Sequence, residues 1–187
     1  MNIADAAGEL QSFFDARGWP ACVIGALAAA RWGKPRATQH VDFSLLVNQG
    51  SESAATDEIL ARFEPRMPEA RAFALEHRVL LIPASNGVPI DVVYAAFPFE
   101  AELIARATRF ELATGAWVVT ASLEDVIVLK AFAGRPQDWV DVEAIVQRQG
   151  DRIDGSQVEL RLGALLELEG PRDALARLRD MREVSGP

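Results

Sequence analysis

Three side chains stand out by type and spacing: His40, Asp42 and Asp91. Residues 40–47 read as a strand, and alternate strand side chains point to opposite faces, so His40 and Asp42 share one face. Ahead of them lies a small-residue turn, Gly25-Ala26, which opens a short helix. Free N–H groups at a helix start can hold an anion, and tight packing explains such a turn equally well. Asp91 sits between Ile90 and Val92 in an otherwise apolar run. A carboxylate there is costly unless it is paired with a cation or binds a metal. Lys130 follows Val126 by four residues and shares the inner face of its helix, where an ammonium needs a partner.

The surrounding pattern predicts the elements that must hold these residues. Ile3, Ala7, Leu10, Phe13 and Phe14 recur at helical spacing over residues 3–17, with Gly18 and Pro20 as the stop. A strand over 21–24, a helix over 26–32 ended by Gly33, and the strand 40–47 follow. Residues 56–63 read as helix, with the sheet resuming after Pro65 to Pro68. Strands over 78–82 and 88–94 flank Ser85-Asn86-Gly87, and Asn-Gly is a strong hairpin signal. A helix over 99–108 and strands over 110–112 and 117–120 complete this half. Ser122 to Asp125 forms a capping box, and four helices are expected beyond it, one opened by a second box at Ser156 to Glu159.

Composition narrows the function. The chain has 187 residues, half apolar and a quarter charged, with a net charge of −8. Such acidity argues against extended nucleic-acid binding, although a local arginine patch can receive one nucleotide. Lys34 and Lys130 are its only lysines, and Cys22 its only cysteine, so neither an internal disulfide nor a thiolate zinc cluster is available. Cys22 lies in an apolar strand, as a buried inert thiol does. His77 has no visible partner and reads as a surface residue. The start MNIADAAGEL has no basic segment of a secretory signal, and no apolar run approaches the roughly 20 residues of a membrane span. The expected location is cytoplasmic.

The stretch from Gly25-Ala26 to Arg36-Ala37-Thr38-Gln39-His40-Val41-Asp42 resembles the nucleotidyltransferase superfamily related to DNA polymerase β. It is most similar to bacterial stand-alone and toxin-type (abortive-infection) members. Those carry a Gly-Gly or Gly-Ser turn, a helix and an Arg-Ala-Thr-x-Asp-hydrophobic-Asp strand. Here Ala26 replaces the second small residue and His40 the first Asp. The run from Lys130 through Arg135 to Asp138 and Asp141 is similar to the Lys-x-x-Ala-x-Arg-x-x-Asp-x-x-Asp run of the relatives. The resemblance covers roughly residues 20–145.

The resemblance implies an α/β (α+β) fold: a small mixed sheet over residues 1–121, then a helical segment over 122–187. It implies metal-dependent transfer of a nucleotide from a nucleoside triphosphate to an acceptor that the sequence does not name. His40, Asp42 and Asp91 would be the catalytic and metal-holding set, with magnesium or manganese as the divalent ion. His40 stays open between altered ligand, general base and relic. Imidazole is a poor ligand for Mg²⁺ and a better one for Mn²⁺. Gly25, Ala26, Arg36, Thr38, Lys130 and Arg135 would contact the nucleotide. For Lys130 the alternative is an ion pair with Asp138 or Asp141, and for Asp138 the structural role leads because it suits its own helix start. The rival reading is a non-catalytic module for nucleotide sensing or for a protein partner, as in a toxin–antitoxin pair.

Overall fold

The computed structural model describes residues 2–184 apart from 169 and 172. Its chain forms two compact units: residues up to Ile24 together with Thr38–Ala121, and Gly25–Ala37 together with the chain from Ser122 onward. The first holds the strands and the second is helical.

In the first unit, β1 (Ala21–Ile24), β2 (Val41–Leu45), β3 (Val79–Pro83), β4 (Pro89–Tyr94), β5 (Thr108–Ala113) and β6 (Ala116–Thr120) form one sheet. Its order is β3-β4-β2-β1-β6-β5, and it is mixed: β2 runs parallel to β4 and β1 to β6, while the other neighbours are antiparallel. Period-two burial explains which side packs. Val41, Phe43 and Leu45 on β2, Ile90, Val92 and Tyr94 on β4, and Leu80 and Ile82 on β3 are all buried. They point to one face, while the alternate residues Asp42, Asp91 and Leu81 are only partly covered.

Helix α1 (Ile3–Asp15) packs on β1, β2 and β6 through its apolar stripe, with the Phe14 and Phe43 rings edge to face at 5.5 Å between centroids. Helix α3 (Glu52–Leu60) is tied to the sheet by a buried 2.7 Å bond between the Thr56 and Tyr94 hydroxyls. The β3–β4 hairpin forms at Asn86-Gly87, where the Ala84 N–H donates to the Val88 carbonyl.

One element departs from the sequence expectation. Between Pro68 and β3 the chain does not return directly to the sheet but forms helix α4 (Ala70–His77). The run Ala-Arg-Ala-Phe-Ala-Leu-Glu-His is rich in good helix formers. It ends at Arg78, which takes the left-handed conformation at φ 57°. That geometry is sparsely populated for a residue with a Cβ. It is held by guanidinium bonds to the carbonyls of Tyr94 and Ala95. Helix α5 (Pro98–Arg106) then leads into the β5–β6 hairpin.

The second unit gathers α2 (Gly25–Trp32), α6 (Leu123–Ala133), α7 (Pro136–Gln149), α8 (Gly155–Leu166) and α9 (Ala174–Val184). Helix α6 is apolar nearly all round and is its centre, in contact with α2, α7, α8 and α9. Ser122 caps it as expected, accepting from the Asp125 N–H. Buried Asp125 is bound in turn by Arg161 at 3.1 Å. The cap of α8 lies two residues earlier than the sequence suggested: Asp154, not Ser156, accepts from the Gln157 N–H, and the Ser156 hydroxyl donates to Asp154. A carboxylate offers the stronger acceptor.

Gly33 lets α2 and α7 approach closely. A Cβ there would meet Ile145 Cγ1 at 2.9 Å and the Ile145 backbone nitrogen at 3.2 Å. Gly33→Ala is therefore expected to lower stability by about 1–3 kcal/mol, as overpacking does. Thermal melts of Gly33→Ala, Ile145→Ala and the double variant check this: the double variant loses less than the sum, because Ile145→Ala removes Cγ1.

Candidate functional site

The candidate residues fall into two groups, one in each unit. In the sheet unit, parallel pairing of β2 with β4 sets Asp42 in register with Asp91. Residues paired in this way project to the same face, so the two carboxylates lie on adjacent strands, roughly 5 Å apart at the backbone. Ile24 on one side and Leu81 on the other complete the row. His40 stands one residue ahead of β2, and its Nε2 lies 3.4 Å from Asp42 Oδ2. The Thr38 hydroxyl donates to the His40 carbonyl at 3.1 Å and fixes the approach to the strand.

Asp91 has a partner that sequence reasoning missed. The Arg66 guanidinium donates to Asp91 Oδ1 at 2.5 Å. Arg66 is itself docked on the edge of the sheet, since its backbone N–H donates to the Leu81 carbonyl at 3.0 Å. Leu81 is the β3 residue in register with Asp91, so Arg66 joins the same row from outside. The available signal was a cation between two prolines in Pro65-Arg66-Met67-Pro68, whose fixed φ angles restrict the segment.

The donor set does not fit a pair of metal ions. Among the described residues no three His, Cys, Asp or Glu side chains gather closely enough to hold one. His40, Asp42 and Asp91 are thus not assembled into the expected three-ligand set. What remains is two carboxylates side by side, one touched by an imidazole and the other by a guanidinium.

In the helical unit, Gly25 opens α2 at φ 66°, a conformation natural to glycine, and Ala26 behind it is buried. Arg36 grips Asp141 through two bonds, 2.8 Å from Nε and 3.1 Å from Nη2. Lys130, 6% exposed, donates to Asp138 Oδ1 at 2.8 Å and lies 2.8 Å from Asp141 Oδ2. Arg135 closes the chain with a 2.6 Å bond to Asp138 Oδ2. Three cations therefore share two buried carboxylates. Burial opposes ionisation of both acids, but hydrogen bonds and charge from Arg135 and Lys130 hold Asp138 below the usual aspartate range. Arg36 and Lys130 do the same for Asp141 against the same opposition from burial. The Arg36 guanidinium is in turn held above its ordinary value by its bond to Asp141.

No protein-family model matches the chain, and no curated protein matches its sequence. Solved structures do. An antigenic nucleotidyltransferase-like protein from Paracoccidioides brasiliensis aligns over 98% of this chain and 93% of its own, with 13% identity and a TM-score of 0.55. The antibiotic-resistance factor ANT(2'')-Ia in solution aligns over 97% of both chains, with 17% identity and a TM-score of 0.53. Its crystal structure in complex with adenylyl-2''-tobramycin covers 88% of this chain and 97% of that one, with 18% identity and a TM-score of 0.57. The protein has a nucleotidyltransferase-like fold.

Asp138 and Asp141 make stability depend on acid. An acid whose folded pKa is depressed stabilises the fold above its ordinary value, here 3.8, and that contribution is lost as the pH falls through the lowered folded values. Asp138→Asn should cost about 3 kcal/mol at pH 7, on the scale of breaking a buried pair. It should also flatten the fall in melting temperature below pH 4, so melts of wild type and variant from pH 7 to pH 3 check both effects.

Proposed function

We propose that the protein binds a nucleoside triphosphate together with a divalent cation and transfers its nucleotidyl group to an acceptor hydroxyl. The observation that carries this reading is the register of Asp42 with Asp91 on parallel strands of a nucleotidyltransferase-like fold. In such a transfer the acceptor oxygen attacks the α-phosphorus and pyrophosphate leaves. Asp42 and Asp91 are the residues that would hold a single cation, magnesium or manganese, which would supply charge to offset the triphosphate. Asp42 Oδ2 lies 3.4 Å from His40 Nε2, and in this reading the imidazole serves to orient that carboxylate or to accept the acceptor's proton. The subclass supported by the sequence motifs is the bacterial toxin type.

Of the residues expected to meet the nucleotide, Lys130 has both neighbouring carboxylates to satisfy and acts in this reading as the anchor of the ion network. Arg135, whose side chain is 74% exposed, keeps the capacity to meet phosphate. Gly25, Ala26, Arg36 and Thr38 are, by the resemblance, residues that would contact the nucleotide.

A second reading is favoured by two observations: His40 stands where a carboxylate belongs, and Asp91 is engaged by Arg66. Under it the protein is a nucleotide-sensing or partner-binding module in which catalysis is weak or lost. Calorimetric titration with ATP and GTP, each in Mg²⁺, Mn²⁺ or EDTA, separates the two. The transferase reading expects binding that needs the metal and weakens at least tenfold in Asp42→Asn. His40→Asp, which restores a carboxylate, should tighten binding in Mg²⁺ by about 1–3 kcal/mol. Absence of metal-dependent binding in wild type and His40→Asp alike would rule the transferase reading out.

A further inference from the structure

The row of side chains across β2, β4 and β3 combines two acids with one neighbouring cation. Asp42 and Asp91 contribute two negative charges, Arg66 one positive charge, and the place expected to supply a third carboxylate holds His40. Two divalent cations at such a site need several carboxylates to balance them. A row with two acids and one built-in cation has far less negative charge to offer.

Arg66 is not placed as a casual surface partner. An exposed salt bridge on a mobile side chain contributes little because two flexible groups must be held together. Here the backbone of Arg66 is already tied to the Leu81 carbonyl, and prolines at 65 and 68 stiffen the segment on either side. Leu81 is the register partner of Asp91, so the backbone bond and the 2.5 Å side-chain bond address the same row of the sheet. Part of the ordering cost has been met before the guanidinium reaches the carboxylate. The bonded oxygen, Oδ1, accepts from nitrogen, and the guanidinium charge beside it opposes a cation at the same carboxylate.

We infer that Arg66 is a resident counter-ion of the carboxylate row: it occupies Asp91, stands in for one of two metal ions, and limits the site to a single weakly held divalent cation. The inference rests on the transferase reading for the role of the row, but its test does not use nucleotide. Arg66 is here a positioning and specificity-determining residue, acting through Asp91.

The probe is Mn²⁺ alone, titrated into the full chain and followed by paramagnetic resonance of the free ion. Circular dichroism and thermal melts confirm that each variant is folded. Arg66→Met should bind Mn²⁺ at least tenfold more tightly than wild type, because it releases Asp91 and removes a positive charge. Arg66→Gln serves as a second neutral variant judged by the same criterion. Arg66→Lys keeps the charge and should stay within about threefold of wild type. Adding Asp91→Asn to Arg66→Met should cancel the gain. Unchanged or weaker Mn²⁺ binding in both neutral variants overturns the inference. A gain that survives Asp91→Asn also overturns it, since Arg66 would then act by bulk charge and not through that carboxylate. These outcomes are independent of nucleotide binding: a wild type that binds metal–nucleotide but is indifferent to Arg66 retains the transferase reading and loses this one.

Discussion

Two like charges held side by side by backbone pairing are the constraint around which the sheet unit is arranged. The β2–β4 ladder sets Asp42 and Asp91 side by side, because their Cα positions are register partners. Two carboxylates on one face of adjacent strands repel each other. Cross-strand pairs of like charge are destabilising for this reason. A fold only marginally stable overall retains such a pair when something compensates it. Arg66 reaches Asp91 from beyond the sheet edge, and His40 lies beside Asp42 at the strand entrance. The opposite face of the same strands has no such conflict. Val41, Phe43, Ile90 and Val92 are fully buried there, so the strands are held in place by apolar packing while their other face carries the charges.

The helical unit solves a related problem by different means. Lys130, Asp138 and Asp141 are withdrawn from water, and the cost of desolvating them is offset only because each carboxylate accepts from two cations. Arg36 brings its guanidinium from a position 105 residues earlier in the chain. The network thus fastens the segment after α2 to α7, and close packing at Gly33 against Ile145 reinforces the same pair of helices. Helix α6 packs against α2, α7, α8 and α9, and the ion network ties α6, α7 and the segment after α2 together.

Much of this was legible in the chain. Period-two runs around Val41 and Ile90, the Asn86-Gly87 hairpin, the Ser122 cap and the lone acid at position 91 are local features, and local features are written in residue order. Parity over a strand expected at 40–47 put His40 and Asp42 on one side, whereas β2 begins at Val41 and His40 stands one residue ahead of it. Helix α4 was missed because the prolines at 65 and 68 suggested a loop running back to the sheet. The helical preference of the eight residues that follow prevailed, stopped by Arg78 in a left-handed conformation that composition does not announce.

Residue types and their spacing determined the mixed α/β class, the two acids and the histidine, and the need of Lys130 for anionic partners. Which partners were met was decided by tertiary structure, because the relevant distances span turns and register shifts that no periodicity encodes. The sequence left Lys130 between phosphate and aspartate, and packing of α6 against α7 brought it to Asp138 and Asp141. Asp91 called for a cation or a metal. The docking of residue 66 on the Leu81 carbonyl delivered a guanidinium to it from a position 25 residues earlier in the chain. A charge can be read from sequence, but its counter-charge is a property of the fold.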